Sequence, residues 1–534
     1  MTDELVLTDN FNFSKYIDNV EDYDPILYIG YVTEVSGLEV ISNGPCAQKG
    51  EICTIKLHNG TSVLAEVVAL KQNSVKLTVF GLTEGIEIGC EVIASGKPLQ
   101  VPVGWNLLGR TIDATGKPCD GLGELIPADY YPAICPAPDA MTKLEINRRI
   151  TTGVRAIDSM LTIGKGQRIG VFAGSGVGKS TLLSMIARNT DADINVIGLI
   201  GERGREVLDF INRDLGVEGM KRSVVVVAKG DEPAICRLRA AQVCTAIAEY
   251  FRDQGKDVML MMDNVTRFAK AQREISISSG EVPAQRGYPP SVFDSIPKLL
   301  ERTGTNDKGS ITAIYAVLVD GDDMNEPIAD TVRGVLDGHI VLSRRLADSY
   351  HYPAIDVLQS ISRIANRVSG KITKKAVGRV RELMAVYQNN AQMINAGIYQ
   401  MGTSAAIDEA INKHDEIEEF LKQEEYEPSS IKETLDMLSS LTGIEIPAEE
   451  YAECPNAGAK SAAQLSDEKI RAEGMNTEKM KELGQKINAV IPDSTGTGAS
   501  GAFGGAFGSD GTASGFNTGF NTGLSGSGNS SGAL

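Results

Sequence analysis

The residues Ala173, Gly174, Ser175, Gly176, Val177, Gly178, Lys179, Ser180 and Thr181 bring glycines, a lysine and hydroxyls into one short run. RIGVFA precedes the run and LLSMIAR follows it, so it joins a strand-like segment to a helix-like one. Glycines let a backbone curl until successive N–H groups point at phosphate oxygens, and a helix N-terminus adds positive potential at the same place. Lys179 would then reach the β- and γ-phosphates of a nucleotide, and the Ser180 hydroxyl would ligate Mg²⁺. Ala173 stands where a glycine is more usual, a small-residue change that this geometry tolerates. Further on, VMLMMD ends in Asp263, where a carboxylate at the end of a buried strand would complete the Mg²⁺ surroundings. Glu202 in GERGREV follows NVIGLI and suits the task of orienting an attacking water, with Arg203 and Glu206 close by. In isolation, Asp263 also reads as a turn cap and the Arg/Glu-rich turn as a solvated cluster of ion pairs.

Five continuous apolar runs must carry these residues: RIGVFA, NVIGLIG, VVVVA, VMLMMD and ITAIYAVLV. Such runs are expected of a parallel sheet covered on both faces, which makes residues 99–368 an α/β nucleotide-binding domain. Before it, residues 25–98 hold short β-rich runs from ILYIGYVTEV to CEVIAS, punctuated by Gly, Asn and Pro as in a small barrel. Residues 369–441 hold no strand-like run and read as a helical domain. In residues 1–24, Phe13, Tyr16, Ile17 and Val20 fall on one face of a helix, which either packs on its own domain or binds a partner. Residues 442–534 are expected to form a polar, largely disordered tail, Gly/Ser-rich from 494 onward.

Composition narrows the classes. Among 534 residues, 52 Lys plus Arg stand against 70 Asp plus Glu, a net charge of −18 that disfavours binding to a phosphate backbone, so no nucleic-acid partner is expected. No apolar run approaches the ~20 residues that span a bilayer, and the acidic MTDELVLTDN lacks the order of a signal peptide. The 8 cysteines form no CxxC pair and histidines number only 4, so a cytoplasmic protein with reduced thiols and no zinc site is expected.

AGSGVGKST, GLIGERGREV, MMDNVTRFAKAQREI, RGYPPSVFDSIPKLLERTG, DGDDMNEPIADTVRGVLDGHIVLSR and HYPAIDVLQSISR occur in this order, and together they resemble the flagellar export ATPases, the rotary-ATPase relatives that serve type III secretion. The resemblance runs from about Phe11 to Leu441. It implies a RecA-like P-loop ATPase core with an N-terminal β-barrel, a C-terminal helical domain and a disordered Gly/Ser-rich tail. ATP would be the substrate and Mg²⁺ the cofactor. Glu202 matches the catalytic carboxylate, with Arg203 and Glu206 as its neighbours around the phosphates and Mg²⁺. Arg267 matches the arginine that contacts the γ-phosphate within the same subunit, and Tyr352 the aromatic residue that stacks on adenine. Arg363 matches the arginine finger, which enters the neighbouring subunit's site.

Implied partners are the other subunits of a homohexamer, a dimeric regulator at the N-terminal helix, a central stalk protein, the export gate and chaperone–cargo complexes. The chain would act at the cytoplasmic face of the export apparatus, peripheral to the membrane. Two departures stand out within the matched region: Asn264, where export ATPases usually carry Ser and synthase catalytic subunits Asn, and ISISSGEV in place of a small-residue run. Neither is expected to touch a catalytic atom. A virulence injectisome ATPase shares nearly every block, and an ATP synthase catalytic subunit is a more distant alternative. A catalytically silent ring subunit would normally lack Glu202, and an RNA-translocating ring would need a basic, aromatic barrel.

Overall fold

A computed structural model describes residues 28–319, 321 and 323–455, which lie within one compact unit. The N-terminal helix expected in 1–24 and the tail from 456 onward lie outside the described residues.

The barrel closes from β1 (Ile29–Ser36), β2 (Glu39–Ser42), β3 (Glu51–Lys56), β4 (Ser62–Lys71), β5 (Ser74–Val79) and β6 (Glu91–Pro98) in the order β1-β2-β5-β4-β3-β6. Alternate side chains point inward, and Val40, Cys53, Ile55, Ala65, Val67, Leu77, Val79 and Val92 are fully enclosed. An ion pair between Glu66 of β4 and Arg239, both buried, fastens the barrel to the nucleotide-binding domain.

The main sheet of that domain runs Ile361–Ser362, Gly338–Leu342, Arg168–Ala173, Ser310–Leu318, Asp257–Asp263, Ile194–Glu202, Ser223–Lys229 and Thr111–Ile112. Its long strands pair in parallel, and nearly every residue in them is buried, as continuous apolar runs require. Parallel pairing brings all their carboxyl ends to one edge. That edge carries Ala173, Glu202 and Asp263.

Helices Lys371–Asn395, Ala405–Leu421 and Ile431–Thr442 follow. The last begins at a reciprocal cap between Ser430 and Glu433 and stops at Gly443, whose φ of 68° only glycine adopts freely. Packing does not end at Leu441, where the tail was expected to begin. The Glu450 carboxylate accepts from the N–H groups of Ile372 (2.9 Å) and Thr373 (2.8 Å), seating the first turn of helix Lys371–Asn395. Arg149 donates to the carbonyls of Tyr451 and Ala452. The close approach also explains Gly370, where a Cβ would lie 2.0 Å from the Glu450 carboxyl carbon.

Candidate functional site

Strand Arg168–Ala173 ends in a loop that enters helix Lys179–Asn189 at Gly178. Gly176 and Gly178 take φ of 80° and 92°, the left-handed conformations that let the loop curl around an anion. Val177 is buried and anchors the loop from beneath, while Ser175, Gly176 and Ser180 face solvent. The Lys179 ammonium donates to Asp263 across the sheet edge and stands 3.9 Å from Glu202 Oε1. The structure thus gathers the phosphate loop, Lys179, Glu202 and Asp263 at one point.

Glu202 is aimed there by an irregularity in its strand. Ile200 pairs with Ala228, yet Glu202 pairs with the very next residue, Lys229, so Gly201 bulges and turns the carboxylate toward Lys179. Burial, and secondarily the charge of Asp263, push the Glu202 carboxyl above its ordinary range, with Lys179 opposing the shift. Gly201 has φ of 73°, and a Cβ there would lie 2.9 Å from Arg267 Cγ. We expect Gly201→Ala to lower turnover on the order of 10²-fold, since it displaces both Glu202 and Arg267. Steady-state hydrolysis, set beside a thermal midpoint that stays close to wild type, checks this.

Arg267 runs its aliphatic chain over Gly201, and its buried Nε has no hydrogen-bond partner in the protein. Such a donor suits an anionic ligand. Arg203 and Glu206 sit at the solvent rim, paired to each other at 3.3 Å, with Glu206 beside Glu202. Tyr352 packs its ring on the last glycine of the loop, 3.6 Å from where a Gly178 Cβ would be. Tyr352, Gly178, Thr181, Leu182 and Gln423 line a cavity of about 770 Å³, wide enough for a purine. From the helical region, the Gln423 N–H donates to the Tyr352 carbonyl (3.0 Å) and Glu418 pairs with His351 (2.7 Å).

Arg363 is not brought to this site. Its N–H donates to the Asp337 carbonyl, and Asp337 in turn binds Arg168, at the amino end of the strand whose carboxyl end is Ala173. At roughly 3.3 Å per residue that separation is about 17 Å, beyond the reach of an arginine side chain. Arg363 is exposed at this far edge of the sheet.

Asn264 corrects an expectation: it does touch a candidate catalytic atom, with Nδ2 donating to Glu202 Oε1 at 3.0 Å. Gly201 and Gln423 were also missed, and only the unusual Asn264 carried any signal in the sequence.

For a divalent cation, the exposed Ser180 hydroxyl and the Asp263 carboxylate offer hard oxygen donors, which fit Mg²⁺. Lys179 neutralises Asp263 here, as a cation would. Among the described residues no cluster of three His, Cys, Asp or Glu forms a metal cage, so phosphate oxygens would have to supply other ligands.

Residues 153–362 match the family model of the ATP synthase alpha/beta family, nucleotide-binding domain, and residues 32–96 match that family's beta-barrel domain. Residues 371–440 match the T3SS EscN ATPase C-terminal domain. The chain is 54% identical to a flagellum-specific ATP synthase of Treponema pallidum, over 81% of this chain and 97% of that protein. It is 48% identical to a type 3 secretion system ATPase of Xanthomonas euvesicatoria, over 77% and 94%. Among solved structures, the assembled ATPase EscN of the enteropathogenic E. coli type III secretion system matches with a TM-score of 0.74 at 43% identity, covering 77% of this chain and 100% of that one. EscN in complex with its central stalk EscO matches with a TM-score of 0.73.

Proposed function

Since the chain belongs to the ATP synthase alpha/beta family, in the branch of flagellar and type III secretion ATPases, we propose that it hydrolyses ATP to energise flagellar protein export. The observation that carries the hydrolysis is the convergence of Lys179, Glu202 and Asp263 on the phosphate loop. A flagellar role is favoured over an injectisome role by identities of 54% and 52% to flagellum-specific relatives, against 48% to a secretion-system ATPase.

Lys179 leaves Asp263 for the β- and γ-phosphates when ATP enters, and the loop N–H groups hold the phosphate chain. Ser180 and Asp263 would hold Mg²⁺, with Glu206 at its margin. Held there, the cation would supply positive charge against the phosphates as the reaction proceeds. Glu202 orients a water so that its oxygen attacks the γ-phosphorus while the bond to the ADP oxygen breaks. Arg267 meets the γ-phosphate from within the chain, Arg203 borders the phosphates at the rim, and Tyr352 stacks on adenine. Arg363, exposed at the far edge, serves the next subunit of a homohexamer.

The EscN–EscO complex supports a central stalk partner for this chain as well. The regulator at residues 1–24, the export gate and the chaperone–cargo complexes follow from membership of the family, as does work at the cytoplasmic face of the apparatus. Among the described residues no helix is long and apolar enough to cross a membrane.

A strain lacking this gene should neither export filament subunits nor swim, and Lys179→Ala supplied in trans should not restore it. A strain that swims normally but fails to inject effectors would move the assignment to an injectisome.

A further inference from the structure

Asn264 is buried and carries two bonds at once. Its Oδ1 accepts from the Arg267 N–H at 2.9 Å, capping helix Val265–Ser278, and its Nδ2 donates to Glu202 Oε1 at 3.0 Å. The cap fixes the sense of the amide, because a flipped group would set NH₂ against N–H and oxygen against carboxylate oxygen. The same Glu202 oxygen stands 3.9 Å from the Lys179 ammonium. That second contact is temporary, since Lys179 has phosphates to hold once a nucleotide is bound, whereas Asn264 is pinned to a helix terminus and stays. Asp263 and Glu206, the other side chains that act on Glu202, are carboxylates and donate nothing when ionised.

Resting on the reading of Glu202 as the group that orients water, we propose that Asn264 is a positioning residue that holds Glu202 Oε1, so that Oε2 is the oxygen presented to the attacking water. The assignment gives the asparagine a second task beside the helix cap. A serine can cap the same helix, but one short hydroxyl cannot accept from Arg267 and also span to Glu202. In this chain the acceptor is fixed before the nucleotide arrives, and binding costs it no further reorganisation.

The test is a double-mutant cycle on the full chain, with steady-state and single-turnover ATP hydrolysis as readouts. Asn264→Ser keeps the cap and should lower kcat about 10-fold with KM unchanged, a modest part of the ~10²-fold that a 1 Å misplacement costs. Asn264→Asp, which faces one carboxylate with another, should lower it further. In a Glu202→Gln background, Asn264→Ser should change the residual turnover less than about twofold, because the bond it removes no longer serves catalysis. Equal fold-losses in the two backgrounds would mean that Asn264 acts through the fold, and would overturn the proposal. Wild-type kcat in Asn264→Ser beside an inactive Glu202→Gln would also overturn it, leaving the role of Glu202 intact. Full turnover in Glu202→Gln would instead remove the reading beneath it.

Discussion

Glu202→Gln should bind ATP yet turn it over about 10³-fold more slowly, within the range expected for loss of a positioned acid–base group. The substitution keeps the side-chain volume and removes only the charge that draws a water proton. Binding should survive, because the groups proposed to grip phosphate are the loop and Lys179, and Asp263 still holds Lys179 in place when Glu202 loses its charge. Burial and Asp263 already raise the Glu202 carboxyl above its ordinary range, so the ionised form is held at some cost in the empty site. The steady-state rate and a nucleotide-binding titration, run on the same preparation, separate the two effects. A variant with wild-type turnover would exclude Glu202 from the chemistry. A wild-type chain that binds nucleotide and never turns it over would instead be a silent ring subunit.

Arg363→Ala should be at least as damaging, with a loss of about 10³-fold or more, the scale attributed to an arginine finger. The reasoning is geometric. Arg363 hangs from the Asp337 carbonyl at the amino end of the sheet, and the phosphates would lie beyond the carboxyl end. No side-chain rotation closes that gap, so the residue serves a second subunit or no site at all. Specific activity in the wild type should therefore rise with protein concentration as subunits associate, and the variant should stay flat and low across the same range. Activity independent of concentration that also survives the substitution would mean a self-contained site, and the ring would have to be abandoned.

Much of this architecture was legible in the residues because the signals are local. The barrel strands alternate, the sheet strands are unbroken apolar runs, and a phosphate loop needs only its neighbours to be recognised. What escaped was pairing between distant segments. The bulge at Gly201 exists only relative to Ser223–Lys229, and no property of GLIGER alone announces it. Asn264 looked like a harmless exchange because only its helix-capping bond to the Arg267 N–H is local, and its other partner, Glu202, arrives when strands Ile194–Glu202 and Asp257–Asp263 lie side by side. The folded boundary moved past Leu441 for the same reason: Glu450 acts on a helix that begins at Lys371.

That last contact bears on how the role of the C-terminal segment is to be mapped. A deletion series cut at Leu441, the natural place to stop from the sequence, would remove Glu450 together with the polar stretch. The N–H groups of Ile372 and Thr373 would lose their acceptor, and Arg149 would lose the carbonyls of Tyr451 and Ala452. A non-motile phenotype from such a truncation would report a damaged helical domain and be misread as a duty of the tail. Stop codons placed after residue 455 ask the intended question.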